Sequence, residues 1–244
     1  MRHRKKQKQN MCNSVIDERE FNAVGVLAQV TTNQSVALRL RNKAGKAVTS
    51  VTVTAATDIV LIDSDGTSTV DFSTYTTAGA VADKINSLAN WECRVLDVER
   101  SFDPVSRIVG GALSAGVKEG VGGVYDVLVD TSVGYVGYCL TPNRAVGKVA
   151  AKGKKVVAKK FNYALNVGTP AAASVLVVKR SGTVEETRLS LTSVDTTATT
   201  VFDVSNTAGF KGLSAGNDEE LVFIVKDAAS IADGGLLEVW GEVV

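Results

Sequence analysis

The sequence predicts a mainly β protein, and three observations lead to that class. Val, Ala, Thr and Gly dominate its 244 residues, whereas aromatic residues make up 6% and prolines number three. Val and Thr are β-branched and fit the half-buried face of a pleated sheet. Short apolar runs alternate with polar residues, and turn residues separate these runs at the spacing typical of sandwiches and barrels. We therefore predict a β-sandwich or jelly-roll domain at residues 124–244 and a smaller β-rich domain with one helix at residues 21–103.

The strands of the smaller domain follow from alternation and from turn signals. They are predicted at residues 23–30, 36–40, 51–54, 59–62 and 68–72. In the second of these strands Val36, Leu38 and Leu40 lie on one face. The sequence Asp63-Ser64-Asp65-Gly66 predicts a hairpin, because Asp-Gly supplies the positive φ angles of a tight turn.

The hydrophobic period changes after Phe72, and the sequence predicts a helix at residues 77–89. A threonine at its start can cap it, and apolar residues then recur at helical spacing along one stripe. Asn90 is expected to end the helix. Residues 91–95 alternate apolar and charged side chains, which favours a strand over a continuation of the helix.

Residues 104–123 contain six glycines and predict a connector between the domains, or a long loop that reaches a neighbouring subunit. Eight short strands are expected after it, which is the number found in a sandwich or jelly roll. They are predicted at residues 124–129, 134–140, 154–159, 175–179, 186–191, 199–204, 220–225 and 236–243.

The net charge of +1 hides a strong segregation of charge. Residues 1–20 form a predicted basic arm that is almost free of apolar side chains near its start, so its ordering requires a partner. Its candidate contact residues are Arg2, Arg4, Lys5, Lys6 and Lys8. Contact with phosphates or an acidic surface and a solvated tail that aids solubility both remain open for this arm.

A second basic region lies in a window without acidic residues, between Asp130 and Glu185. Its candidate contact residues are Lys152, Lys154, Lys155, Lys159 and Lys160. A lysine-rich edge strand that resists aggregation is the favoured interpretation, and contact with nucleic acid is the alternative. From Glu185 onward there are eleven acidic residues and three basic ones, so basic and acidic surfaces could meet in neighbouring copies.

The residue types needed for catalysis are not arranged for it, and we predict a non-enzymatic protein without cofactor or metal. His3 is the only histidine and lies in the predicted arm. The sequence contains no phosphate-binding or dinucleotide-binding glycine motif and no His/Cys cluster with metal spacing. The hairpin sequence starting at Asp63 departs from a calcium-binding loop, because its glycine falls at the fourth position instead of the sixth.

The cysteines and the hydropathy of the chain indicate the cellular compartment in which it is synthesised. Cys12, Cys93 and Cys139 are widely separated, so buried free thiols and a reducing site of synthesis are expected. No continuous apolar stretch reaches the roughly 18 to 20 residues of a membrane helix, and the charged N-terminus lacks the apolar core of a signal peptide. We therefore expect no membrane partner.

One stretch resembles a recurrent module of tailed-bacteriophage virion proteins, in which a strand pair precedes a short helix ending in Ile-Asn, followed by Trp and another strand. The residues that carry this resemblance are Asp63-Ser64-Asp65-Gly66, Phe72, Tyr75, Ala80-Val81-Ala82-Asp83-Lys84-Ile85-Asn86 and Trp91. The Gly-, Val- and Thr-rich second half is also similar in character to capsid decoration and fibre-base proteins. The resemblance implies a structural role in the particle and no catalytic residues.

We therefore expect a virion structural protein made in the host cytoplasm, favouring a capsid-associated decoration or accessory protein that oligomerises and docks by its arm. Its expected partners are copies of itself and other virion proteins, with nucleic acid as a further partner of the arm. The alternatives are a major capsid or tail subunit, a nucleic-acid-binding module, and a carbohydrate-binding sandwich. The single predicted helix argues against the common capsid fold, and the low aromatic content argues against carbohydrate binding.

Overall fold

A computed structural model describes eleven stretches of the chain, which together contain sixteen strands and two helices. The described residues are 25–32, 34–43, 46–105, 107–115, 123–130, 135–147, 151–165, 172–195, 200–203, 213–227 and 235–244. The first seven strands are β1 Gly25–Thr32, β2 Gln34–Asn42, β3 Val48–Thr54, β4 Asp58–Asp63, β5 Gly66–Asp71, β6 Trp91–Val95 and β7 Gly111–Ala112. The other nine are β8 Val124–Asp130, β9 Tyr135–Leu140, β10 Val156–Leu165, β11 Ala172–Ser181, β12 Val184–Asp195, β13 Thr200–Asp203, β14 Leu213–Ala215, β15 Glu219–Asp227 and β16 Gly235–Val243. The helices are α1 Ala78–Asn86 and α2 Pro142–Val146.

The mainly β class is confirmed, and the strands form four antiparallel sheets. The outer sheet has the order β1-β16-β10-β13, with β14 also pairing with β10. The middle sheet has the order β12-β11-β15-β9, and the small sheet has the order β6-β2-β8. The hairpin sheet has the order β5-β4-β3-β7. Each of the eight strands predicted after residue 123 overlaps an observed strand, and β14 is an addition to them.

Strand β15 of the middle sheet is buried on both faces. Leu221, Phe223 and Val225 belong to one apolar core, which they share with residues of the outer sheet. Val222 and Ile224 point the other way, into a second core that contains residues of the small and hairpin sheets. The two faces of one strand thus contact different layers, so β15 has a continuous apolar sequence instead of an alternating one. The outer and middle sheets form the predicted sandwich, and the smaller sheets add a third layer.

The predicted helix is present as α1, and its first turn is capped as expected. The Thr77 hydroxyl accepts a hydrogen bond from the Ala80 amide at 3.1 Å. Val81, Ala82 and Ile85 are buried against the second core. The helix ends at Asn86, three residues before the predicted end, and residues 87–90 form turns. Residues 91–95 then form strand β6, which confirms the strand over the continued helix.

Sheets join the two sides of the predicted linker at residues 104–123. β1 pairs with β16, and β2 pairs with β8, so strands from both sides lie in the same sheet. The described part of the linker is itself packed. The amide of Val109 donates to the Leu128 carbonyl at 2.9 Å, and Gly111–Ala112 pairs with β3. The described part of this segment is therefore packed against adjacent strands, and its role as a connector or as a loop that reaches a neighbouring subunit stays a prediction.

Candidate functional site

The structure separates the predicted basic residues into three groups. Arg2, Arg4, Lys5, Lys6 and Lys8 precede Gly25 and lie outside the described residues. Lys152, Lys154 and Lys155 lie on an exposed turn at residues 151–155, which we call the lysine turn. Lys159 and Lys160 lie on β10 and are half-buried. These last two therefore have a different environment from the three lysines of the turn.

The lysine turn is held in shape by backbone hydrogen bonds. The Lys154 amide donates to the Ala151 carbonyl at 3.1 Å, and Gly153 has φ of +85°, as the third residue of a type II turn requires. Lys155 and Val244 exchange backbone hydrogen bonds of 2.8 and 2.9 Å. These bonds fix the end of the turn to the end of β16. The backbone is thus held while the three lysine side chains remain exposed.

Lys159 and Lys160 are engaged within the chain. The Lys159 ammonium lies 2.9 Å from a carboxylate oxygen of Glu242, and the Lys160 ammonium lies 5.2 Å from the ring centroid of Trp240. The interpretation of this region as an edge strand is wrong. β10 pairs along its length with β16 on one side and with β14 and β13 on the other, because the chain returns twice to its second edge.

Other opposite charges also pair inside one chain. Lys179 pairs with Glu219 at 2.8 Å, and Arg188 pairs with Glu186 at 2.6 Å. The hydrogen bond from Lys179 lowers the pKa of Glu219, and Lys155 adds a smaller electrostatic contribution in the same direction. Contacts within the chain therefore use several of the charges that the sequence offers for contacts between copies.

A buried ion cluster that sequence reasoning missed lies between the small and middle sheets, around Arg180. Only 4% of this side chain is exposed. Its guanidinium donates to Glu185 at 2.8 Å and to Glu220 at 2.9 Å. It also donates to the carbonyls of Val95 at 2.6 Å and Val98 at 2.5 Å. Burial acts to lower the pKa of Arg180, but surrounding negative groups raise it overall, so the guanidinium stays charged.

Two acidic residues extend this cluster along residues 96–100, the segment that follows β6. Asp97 accepts hydrogen bonds from the Cys139 amide at 2.9 Å and from the Arg144 guanidinium at 2.7 Å. Glu99 pairs with Lys226 and accepts a 3.0 Å hydrogen bond from the Tyr135 hydroxyl. Burial, with the nearby Glu99 charge, raises the pKa of Tyr135 well above its ordinary value. The cluster thus fastens residues 96–100 to the middle sheet.

The chemistry of the cluster is that of charge-balanced packing. Each of its buried carboxylates, on Asp97, Glu99 and Glu220, contacts an arginine or a lysine. A buried ion pair contributes little net stability over an apolar substitute, but losing one partner leaves a costly unpaired charge. Strand alternation could have indicated Arg180, because it shares a face of β11 with buried Val178. No comparable signal exists for Asp97, whose partner Arg144 is 47 positions away in the sequence.

The Asp63–Gly66 hairpin is confirmed as the turn between β4 and β5. One oxygen of Asp63 accepts from the Asp65 amide at 2.8 Å, and the other accepts from the Trp91 indole N–H at 2.9 Å. A shallow pocket of about 220 Å³ lies beside it. In the described ranges, no group of three or more His, Cys, Asp or Glu side chains is arranged to hold a metal ion.

Two of the three cysteines lie in the described residues, and both are buried free thiols, as predicted. These are Cys93 and Cys139, and burial raises the pKa of each. Cys12 lies outside the described residues. In the part of the chain that the structure describes, no helix is both long and apolar enough to cross a membrane.

Comparisons with known proteins leave the family of this chain open. No protein-family model matches the sequence, and no curated protein matches it. Among solved structures, the mosquito-larvicidal Cry4Aa toxin from Bacillus thuringiensis is 9% identical, with 88% of this chain covered and a TM-score of 0.16. The IBDV viral particle is 9% identical, with 91% of this chain covered and a TM-score of 0.14. The chain spans 43% and 61% of the lengths of these two proteins, and likeness this weak carries no functional argument.

Proposed function

We propose that this chain is a virion structural protein, specifically a capsid-associated decoration or accessory protein that oligomerises and docks through its basic arm. The observation that carries the proposal is the unit formed by residues 58–95. These residues include the stretch that resembles the module of tailed-bacteriophage virion proteins. Strand pair, helix, tryptophan and strand follow one another in the order which that resemblance implies.

The characteristic residues of this unit contact one another directly. Asp63 in the hairpin accepts the indole N–H of Trp91 at the start of β6. Asn86, the last residue of α1, accepts from the Cys93 amide at 2.8 Å and donates to the Cys93 carbonyl at 2.9 Å. The side-chain amide of Asn86 thereby occupies backbone groups at the free edge of β6. The Ile-Asn step and the tryptophan therefore have structural roles that do not require a ligand.

The proposed mechanism is multivalent assembly. Each copy supplies a β-rich body and a basic arm. The contacts that the arm makes with a partner offset the entropy that the arm loses on binding. Many copies on one particle would bind far more tightly than a single contact allows, because tethering raises the effective concentration of each further contact.

The proposal is tested by locating the chain in particles. We expect peptide mass spectrometry of purified particles to detect it at a fixed copy number that survives gradient purification. Removal of residues 1–10 should reduce incorporation at least tenfold. A second variant, in which ten Gly and Ser residues replace residues 1–10, keeps the length of the arm but removes its charge. Its incorporation should fall by the same factor. Absence from particles, or unchanged incorporation of both variants, contradicts the proposed docking role. A copy number that accounts for the whole shell or tube would identify a major capsid or tail subunit instead.

A further inference from the structure

The small sheet and the hairpin sheet each have a face that points away from the apolar core, and the two faces differ in charge. On the small sheet, Arg39 pairs with Asp126 across neighbouring strands at 2.7 Å. Arg41 likewise pairs with Glu92 at 3.7 Å. Such cross-strand ion pairs are typical of a sheet face that contacts water. The hairpin sheet has a different composition on its outward face.

Alternation determines which side chains form the outward face of the hairpin sheet. Residues that are buried in the core alternate with the outward ones, and they are Val51, Val53, Ile59, Leu61 and Val70. The strand register arranges the outward residues in two uncharged rows, Ala112-Thr52-Val60-Thr69 and Ser50-Ile62-Thr67. We call these seven residues the uncharged face. All of them are exposed or half-buried.

The centre of the uncharged face is apolar. Val60 and Ile62 lie on the inner strand β4 and are half-buried, and a threonine or a serine flanks each of them on both sides. An apolar centre from which charge is depleted has the composition of the core of a protein interface. Two such sheets can pack face to face about 10 Å apart, with their side chains interdigitated.

The next row of the same face is acidic. Asp58 and Asp71 lie directly opposite each other on β4 and β5, and like charges in this arrangement are destabilising. One carboxylate oxygen of Asp58 is also buried without a hydrogen-bond partner in the part of the chain that the structure describes. A basic group from another molecule would stabilise this end of the face.

The opposite end of the face carries an exposed lysine. Lys46 lies just before β3, whereas Asp58 is opposite the last residue of that strand, so the two are about 20 Å apart along the sheet. Lys46 contacts Asp65 at 3.1 Å, but both side chains are exposed, so this pair adds little stability. Because an ammonium has three donors, Lys46 can contact a second carboxylate at the same time.

We propose that two copies of this chain associate through their uncharged faces, related by a two-fold axis perpendicular to the face. The inference rests on the oligomerisation in the proposed function, and it names the surface that is used. The rotation places Val60 and Ile62 of one copy against the same residues of the other. It also reverses the strand direction, so Asp58 of each copy approaches Lys46 of the other.

The size of the face determines how strong this association should be. Four strands and three rows cover about 20 Å by 20 Å, or about 400 Å² per copy. Stable interfaces bury about 800 Å² per partner. We therefore expect a weak dimer with a dissociation constant on the order of 0.1 mM. Many copies held on one particle would strengthen the contact, because tethering raises its effective concentration.

Sedimentation equilibrium of the full chain between about 0.01 and 1 mM provides the test. Val60→Lys places a charge at the centre of the face and should weaken dimerisation about tenfold or more. The matched control Val124→Lys adds the same charge at a half-buried valine on the outward face of the small sheet. It should change the dissociation constant by less than about twofold. Thr69→Lys, at an exposed position, should act like Val60→Lys without disturbing the fold.

Exchange of charges tests the orientation of the two copies. Asp58→Lys and Lys46→Glu should each weaken self-association, because each variant brings like charges together in its own dimer. An equimolar mixture of D58K and K46E should associate more tightly than either variant alone. In the mixed dimer both contacts again join opposite charges, so the recovery is specific to this orientation.

Three outcomes would overturn the inference. They are an unmodified chain that stays monomeric at about 1 mM, equal effects of V60K and V124K, and no recovery in the mixture. Particle incorporation is measured in parallel. A monomeric chain whose incorporation is lost in V60K and T69K would assign the face to another virion protein, which rejects this inference and retains the proposed function. Dimerisation through the face without incorporation would reject the proposed function and retain this inference.

Discussion

Arg180 is the residue on which the contact between the middle sheet and the chain after β6 most depends. Its guanidinium reaches two carboxylates and three backbone carbonyls from a buried position. An arginine serves here because its planar group has five donors in fixed directions, whereas a lysine has a single ammonium. The position therefore requires the shape of arginine as well as its charge.

We predict that Arg180→Met lowers the free energy of unfolding by about 3 to 5 kcal/mol, because Glu185 and Glu220 lose their buried partner. Urea denaturation provides the measurement. The matched control is Arg188→Met, which breaks the exposed pair with Glu186 and should cost no more than about 1 kcal/mol. The double variant R180M/E220Q should recover part of the loss. Similar losses from R180M and R188M would show that the buried cluster does not fasten these layers.

The buried thiols and Tyr135 predict a loss of stability in alkaline solution. Burial raises the pKa values of Cys93, Cys139 and Tyr135 in the folded protein. Their stabilising contribution is present below the unfolded pKa values, near 8.5 for cysteine and 10 for tyrosine, and is lost as pH rises above them. Each group should contribute a slope of up to about 1.4 kcal/mol per pH unit.

The measurement is urea unfolding at intervals from pH 7 to 10.5. The variant C93A/C139A should have a flatter decline above pH 8.5 than the unmodified chain, after subtraction of its own loss at pH 7. Identical slopes for the two proteins would show that the thiols ionise equally in the folded and unfolded states.

At the scale of elements, the junction between α1 and β6 depends on the Asn86 side chain, which forms the hydrogen bonds that a neighbouring strand would form. Asn86 presents one donor and one acceptor to Cys93, as a neighbouring strand would. We predict that Asn86→Ala destabilises the protein by about 1 to 3 kcal/mol, since two backbone groups lose their partner. Hydrogen exchange of the Cys93 amide should accelerate at the same time.

Ser87→Ala is the appropriate control for this junction. The Ser87 hydroxyl donates to the Lys84 carbonyl in the same turn but does not contact β6. Its loss should leave exchange at Cys93 unchanged. Faster exchange in both variants would mean that the helix end, and not the edge contact, protects the strand.

Local signals predicted most of the elements, and specific residues show where they stop. Thr77 as a cap, the Asp65-Gly66 turn and the alternation in β6 depend on near neighbours, so α1, the hairpin and that strand could be predicted. The Thr141–Pro142 start of α2 is likewise local, because Thr141 caps the helix and Pro142 suits its first turn. The central position of β10 had no such signal, because the residues of β13 and β14 that pair with its second edge lie 37 to 59 positions further along the chain.

For the basic residues too, composition predicts one part and the topology decides the rest. Composition identified the lysines of the turn and of the arm, but it did not separate Lys152, Lys154 and Lys155 from Lys159 and Lys160. That difference depends on Glu242 and Trp240, which approach only when β16 pairs with β10. The buried partners of Asp97 and Glu99 likewise come from distant strands. Such groupings follow from topology, which a single sequence does not determine.

At the scale of the whole molecule, the sheets that join both sides of the predicted linker predict one cooperative unfolding transition. Trp91 lies in the core of the small and hairpin sheets, whereas Trp240 lies on the outer sheet. Single-tryptophan variants W240F and W91F allow each region to be followed by fluorescence during urea unfolding. We expect their midpoints to coincide after correction for the stability change of each variant. Separate midpoints would support two independent domains, as the sequence predicted.

The pairing of β1 with β16 also places a constraint on how the chain folds during synthesis. β1 is synthesised about 200 residues before its partner β16, a delay of roughly 10 to 40 s at about 5 to 20 residues per second. Contacts between such distant segments slow folding, because the intervening chain must first be ordered. During this interval the edge of β1 is open to other chains. The outer sheet therefore cannot be completed until β16 has been synthesised, and nascent copies are exposed to aggregation through β1 until then.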